Sequence, residues 1–362
     1  MRIRTARTSV LIGLLAAVAV AATVVGVLVV RDRDRPPTAF PEATVGSYQS
    51  ATAMHAAISR AYPTFAAALL PAGTSDWQIP GNDGAWSLDA AGHPAFSTTL
   101  TVQDFVETDD QVLISAYDHA HVVDSVLFVL DRRTGAYVKT VILPTTAHVG
   151  GLALDPVAGT LYVSDDSATQ AQVARLTLAA VEAYDVRRTG APIAFDAVVP
   201  VSDNATTAAL AYEDDAIWIA GFDTSGAGTI NAYPIDRATG TLASDPDSSA
   251  PSTDPFSRLS TSSAEIQGLA FDDDRLLVSF SYGNVPSSIA LYRVGRDNDA
   301  HPTRFQYRGI FSQVPPYLEG LHLKDGTAHV MFESGSSIHR ATAQVSIDRI
   351  LGIDLDALPF TP

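Results

Sequence analysis

The chain has 362 residues, 23 basic and 40 acidic, giving a net charge of −17, and it contains no cysteine. The lack of cysteine excludes disulfides, thiol catalysis and thiolate-ligated metals. The negative balance opposes nucleic acid and anionic headgroups as partners.

Residues 9–30 (SVLIGLLAAVAVAATVVGVLVV) hold 22 positions without one charge. A helix of that length covers about 33 Å, enough for a hydrocarbon core of about 30 Å. Arg2, Arg4 and Arg7 precede it, as in the basic region of an export signal. Two readings compete. Ala17-Val18-Ala19 or Ala19-Val20-Ala21 offers a cleavage site for a secreted protein. The apolar run continues well beyond either site, which favours an uncleaved transmembrane signal anchor. Arg31, Arg33 and Arg35 balance the three upstream arginines, so counting bases leaves the orientation open. The placement favours a cytoplasmic segment at residues 1–8 and an extracytoplasmic remainder, with the membrane as partner through this helix.

Pro36, Pro37 and Pro41 stiffen a linker over residues 31–47. The first 35 residues hold six Arg and two Asp. The remainder therefore carries 17 basic and 38 acidic residues, a charge of −21. Residues 48–70 are Ala-rich and predict a helical stalk or cap, kinked at Pro63.

From residue 71 to 362 one pattern recurs five times: small residues and a Leu, an acidic turn, an apolar strand, then a polar loop. The aligned leucines are Leu100, Leu152, Leu210, Leu269 and Leu321. Each unit reads as two strands around a tight turn. Third strands follow at SVLFVLD, TINAYPID and SIALYRV, and a fourth at AYVKTVIL. Asp131 to Gly135 and Asp236 to Gly240 are matching hairpin turns. Four strands per unit at 50- to 60-residue periods predict an all-β fold, a β-propeller of five blades. Six blades follow if residues 76–96 add strands.

Two segments, GGLALDPVAGTLYVSD (Gly150 onward) and IQGLAFDDDRLLVSF (Ile266 onward), resemble the repeats of bacterial secreted or membrane-anchored β-propellers. The group is the broad YVTN/NHL-like and lactonase-like one, and the resemblance spans residues 96–355. It implies architecture. Such propellers include binders, scaffolds and hydrolases, so it implies no single activity.

In a propeller, residues two and four before each repeated Leu ring the axis at one face, together with the ends of the second strands. Those positions give His148, Glu265, Gln267, Tyr317 and Glu319, joined by Tyr117, Asp118, Tyr282 and Glu333, with Asp165, Asp166 and Asp223. Phe96, Thr98 and Thr206 complete the ring. Oxygen-rich rings suit Ca²⁺ or another divalent cation, with His148, Glu265 and Glu319 as candidate ligands. Tyr117, Tyr282 and Tyr317 give a partly apolar mouth. His119 and His121 match no metal spacing. No P-loop, dinucleotide fingerprint, nucleophile elbow or HExxH motif occurs.

The leading expectation is a membrane-anchored extracytoplasmic propeller that binds a ligand, cation or protein at its funnel. The alternative is a metal-dependent hydrolase or lactonase using His148, Glu265 and Glu319. A hydrolase needs three or more ligands converging on one ion. A binder needs only a shaped mouth.

Overall fold

Short apolar strands punctuated by Asp and Gly turns pair locally, so each repeat closes its own antiparallel sheet before it meets its neighbours. The computed structural model describes residues 40, 48–73, 76–167, 170–243, 255–296, 301–324 and 327–362. The apolar run at 9–30, its arginine flanks and the proline linker lie outside the described residues. No helix among the described residues is long and apolar enough to cross a membrane.

Five sheets form the blades of a β-propeller. Blade 1 comprises Leu100–Glu107, Gln111–Asp118, Val126–Asp131 and Tyr137–Ile142. Blade 2 comprises Leu152–Asp155, Thr160–Ser164, Gln172–Thr177 and Ala197–Pro200. Blade 3 comprises Ala209–Glu213, Ala216–Ala220 and Thr229–Asp236, with Thr241–Leu242 and Ser257–Ser260 sharing its outer edge. Blade 4 comprises Ile266–Asp272, Arg275–Phe280, Ser287–Arg296 and Pro302–Val314. Blade 5 comprises Leu318–Lys324, Thr327–Phe332 and Arg349–Ile353, and its fourth strand is Trp77–Gln78. The innermost strands touch in cyclic order and close the ring.

Residues 76–96 therefore add no sixth blade. Trp77 pairs with Ile350 and Gln78 with Arg349, so the first strand among the described residues completes the last blade. Ala85–Leu88 and Pro94–Ser97 form a separate two-stranded hairpin.

The structure also corrects the register of the first repeat. The last pairs before the hairpin turns are Glu107 with Val112, Asp155 with Thr160, Glu213 with Ala216, Asp272 with Arg275, and Lys324 with Thr327. Leu152, Leu210, Leu269 and Leu321 stand three residues earlier. In blade 1 that position is Asp104, not Leu100. The shared pattern is QDFVE, GLALD, ALAYE, GLAFD and GLHLK. Phe96 and Thr98 consequently fall outside the ring, and Phe96 is exposed against Trp86 at the hairpin.

Glycines before the repeated leucines let neighbouring inner strands press together. A Cβ on Gly268 would stand 2.8 Å from the Glu319 carbonyl oxygen. One on Gly320 would stand 2.7 Å from Phe105 Cδ1. Both are closer than packed atoms tolerate. The repeated leucines then line a narrow apolar space of about 110 Å³ around the axis, together with Phe105.

The segment over residues 48–70 forms helix α1 (Ala51–Ala61) and helix α2 (Pro63–Ala66). Ser50 caps α1 by accepting from Ala53 N, and Pro63 starts α2. Met54 and Ile58, one turn apart, face inward. With Tyr62 and Phe65 they pack on Phe332, Leu351 and Ile353 of blade 5. The segment is docked on the propeller rather than standing off as a stalk.

Candidate functional site

At the end of the ring away from the hairpin turns, the axis opens into a cavity of about 520 Å³. Three of the five inner strands reach it through irregular register. The pairing slips between Val102 and Phe105, between Ile266 and Gly268, and between Leu318 and Leu321. Such bulges re-aim a side chain. The residues within them that line the cavity are Gln103, Gln267 and Glu319. In blades 2 and 3 the residues that match Gln267 and Glu319 are Gly150 and Ala208, which precede the first paired residues, Leu152 and Ala209.

The walls are aromatic. Tyr117 lies over His148 with ring centroids 4.1 Å apart. Tyr317 lies 4.8 Å from His339, and Phe222 lies 5.9 Å from Tyr282. His119 stands between the first two pairs, 6.0 Å from Tyr117 and 6.4 Å from His339. Four of the nine histidines thus gather at this mouth, counting His121 at 5.5 Å from Tyr117. Tyr317 adopts a left-handed φ of 66°, uncommon outside glycine. Its carbonyl accepts from Glu333 N at 3.0 Å.

The floor is acidic. Glu319 is 4% exposed, and its carboxyl opens on the cavity. Burial raises its pKa well above the usual carboxylate range, and Glu333 and Asp104 raise it further. Asp104, directly behind it, is raised by burial. Hydrogen bonds to its carboxylate from Leu152 N and Phe105 N, both 2.8 Å, only partly oppose this. Glu333 lies 3.4 Å from His339 Nε2. Burial pushes His148 down to about 4, so its imidazole is neutral at neutral pH. Tyr117 is raised by burial and then by Glu333 and Glu319. Asp166 is also raised by burial, although Thr207 donates to it from both its backbone nitrogen and its hydroxyl. Among the described residues no Lys or Arg lines the cavity.

Of the residues expected at the funnel, His148, Gln267, Glu319, Tyr117, Tyr282 and Tyr317 line this one cavity. Asp118 and Glu265 do not. Asp118 is buried and accepts from Ser97 Oγ, Thr99 Oγ1 and the backbone nitrogens of Val122 and Val123. Burial raises its pKa, but these hydrogen bonds outweigh burial and hold it low. It organises a turn. Glu265 is half-buried and bridges to Phe222 through its backbone. The trio His148, Glu265 and Glu319 is not assembled as a ligand set: among the described residues no three His, Asp or Glu side chains could hold a metal.

Five lining residues among the described ones were not placed at the funnel from the sequence: Gln103, His119, Phe222, Gly283 and His339. The QDFVE match aligns Gln103 with Gly151, Gly268 and Gly320, so the bulge between Val102 and Phe105, which no repeat register announces, is what brings it to the cavity. His119 and His339 sit in irregular segments after second strands, where no repeat register reaches them.

A second cavity, about 610 Å³, lies between Tyr137–Ile142 of blade 1 and helices α3 (Leu178–Ala183) and α4 (Val186–Thr189). Its lysine is already committed. Lys139 Nζ donates to the carbonyls of Val181, Glu182 and Tyr184 at the end of α3.

No family model matches the chain, and no curated protein matches its sequence. Solved structures do. The PQQ-bound form of an aldose sugar dehydrogenase from Streptomyces coelicolor is 14% identical, covering 88% of this chain and 99% of that one, with a TM-score of 0.38. A Thermus thermophilus protein described as a putative oxidoreductase (glucose dehydrogenase) is 12% identical over 76% of this chain and 91% of its own, with a TM-score of 0.42. Hydrazine synthase of Kuenenia stuttgartiensis is 12% identical over 73% and 59%, with a TM-score of 0.33. At these values no cofactor, substrate or reaction carries over.

Proposed function

We propose that this chain is a binding module: a membrane-tethered, extracytoplasmic propeller that holds a small organic molecule in its axial cavity. The observation that carries the reading is Glu319. Glu319, 4% exposed, turns its carboxyl to the cavity to which the bulged strands deliver polar side chains, and burial there makes its ionised form costly. The volume of about 520 Å³ lies within the range of small-molecule sites, and aromatic walls with a few polar groups are the usual lining. The tether rests on the 22 uncharged residues at 9–30 and their arginine flanks. The hydrolase alternative has no such support, because no ligand trio is assembled among the described residues.

The test is a thermal-shift screen of the full-length chain in nonionic detergent against small amines, polyols, carboxylates and aromatic compounds. Binding to the folded state alone raises Tm by mass action. The reading expects at least one class to raise Tm saturably, and Tyr282→Ala to weaken that effect. If no class shifts Tm, or if the shift is indifferent to Tyr282 and Glu319, the axial cavity is not the site.

A further inference from the structure

We infer that the axial cavity recognises an organic cation, an amine or a quaternary ammonium group seated between aromatic faces and above the Glu319 carboxyl. This rests on the reading of the cavity as a ligand site and names the chemistry of its ligand.

Three observations converge. The first is the charge of the lining. Glu319, Glu333 and Asp166 contribute to it, and among the described residues no lysine or arginine does. The second is that Glu319, only 4% exposed, borders the cavity and has no donor among the described residues. A carboxyl that opens on a cavity and has no protein donor is completed by a ligand that donates or carries positive charge. His148 does not supply that charge, because burial keeps it neutral. The third is the wall. Tyr117, Tyr282, Tyr317 and Phe222 line the same space. Aromatic faces attract cations through their quadrupole, more strongly when water is excluded.

Each alternative class lacks one of these matches. An inorganic cation is held best by several charged ligands converging on one point, and no three His, Asp or Glu side chains do so among the described residues. An anion would meet Glu319 and Glu333 with no basic side chain to offset them. A neutral polyol leaves Glu319 holding its proton, whereas a cation offsets the burial that raises the group and draws out the carboxylate. An alkylammonium group satisfies both features at once, with its charge over Glu319 and its methyl or methylene groups against the rings.

The experiment is isothermal titration of the full-length chain in nonionic detergent with choline and with its neutral isostere 3,3-dimethyl-1-butanol, which replaces the ammonium nitrogen by carbon. The inference expects choline to bind at least tenfold tighter than the alcohol. It also expects Glu319→Gln and Glu333→Gln each to weaken choline at least tenfold while the alcohol is unchanged. Near-UV circular dichroism checks that each variant keeps its fold, and Glu333→Gln serves if Glu319→Gln does not. Equal binding of the two probes, lost in Tyr282→Ala, overturns the cation assignment and leaves the cavity as a ligand site. No saturable binding of choline also overturns the inference. In that case the thermal-shift screen decides separately whether another class binds there.

Discussion

The backbone nitrogen of Leu152 donates to the carboxylate of Asp104 at 2.8 Å and ties the inner strand of blade 2 to that of blade 1. Asp104 occupies the position that leucine holds in the other four blades, and it is 3% exposed. A second bond, from Phe105 N, occupies its other oxygen. Asp104→Ala strips the acceptor from two buried donors and is expected to cost about 1–3 kcal/mol. Asp104→Asn keeps one carbonyl oxygen and should cost less. Urea unfolding of the two variants checks the order. A loss below about 0.5 kcal/mol for Ala, typical of a surface change, contradicts the role.

Glu319→Gln is expected to stabilise the chain at neutral pH. The folded-state pKa of Glu319 is raised, by burial first and then by Glu333 and Asp104. The folded protein therefore keeps this proton where the unfolded chain has released it. Stability from this group is complete below the unfolded pKa and is lost as pH rises toward the folded one. Glutamine cannot ionise, so the variant escapes that loss. The gain should be about 1–3 kcal/mol at pH 7.5, the scale of an unsatisfied buried group, and should shrink toward pH 4.5. Melting curves of both proteins at the two pH values give the answer. An equal difference at both would show that ionisation of Glu319 is not the cause.

Ring closure depends on a clamp around Glu107. Its Oε2 lies 2.8 Å from Arg132 Nε, and its Oε1 lies 2.7 Å from His329 Nδ1. Trp77 of the closing strand donates its indole N–H to the Arg132 carbonyl at 2.8 Å and stacks 4.6 Å from His329. Removing one partner of a buried ionic group leaves the others uncompensated, so Glu107→Ala should cost about 3–5 kcal/mol. Burial raises the Glu107 pKa, but His329 and Arg132 outweigh it and the net shift is downward. Its contribution is therefore present above the ordinary carboxylate pKa and is lost as pH falls through the lowered folded value. The stability gap between wild type and variant should narrow in strong acid, as denaturation midpoints from neutral pH down to about pH 3 can show. A gap that persists there rules out the ionised form as the source.

The repeat was legible because its residues do local work. GLALD and GLAFD place a small residue at a strand contact, a leucine at the axis and an acid at the turn. Hairpin turns such as Asp131 to Gly135 carry their own chemistry, with Thr134 N donating to Asp131 at 2.7 Å and Gly135 at a φ of 69°. What stayed hidden is non-local. Nothing in the two residues Trp77-Gln78 announces that they pair with Ile350 and Arg349 at the far end of the domain. Blade 1 lacks the Gly-Leu signature, so alignment on its nearest leucine slid four residues and offered Phe96 and Thr98 in place of Leu100 and Val102, while Gln103 reaches the cavity through the bulge between Val102 and Phe105. Glu265 fell outside the cavity for a related reason. The bulge at Ile266 changes which side of the strand its neighbours face.

Tyr282 separates binding from stability most cleanly. It is 53% exposed, lines the axial cavity, and touches Phe222 at 5.9 Å between ring centroids. Its removal creates no cavity in a packed core, so Tyr282→Ala should change unfolding free energy by no more than about 0.5 kcal/mol. A cation held against that face loses about 0.5–2 kcal/mol when the ring goes, a weakening of roughly 2- to 30-fold. Tyr282→Phe keeps the face and loses only the hydroxyl, so it should bind choline within about twofold of wild type, since the ring rather than the oxygen supplies the attraction. Titrating the three proteins with choline separates the two contributions. Equal weakening in Phe and Ala would assign the contact to the hydroxyl and remove the ring from the recognition of charge.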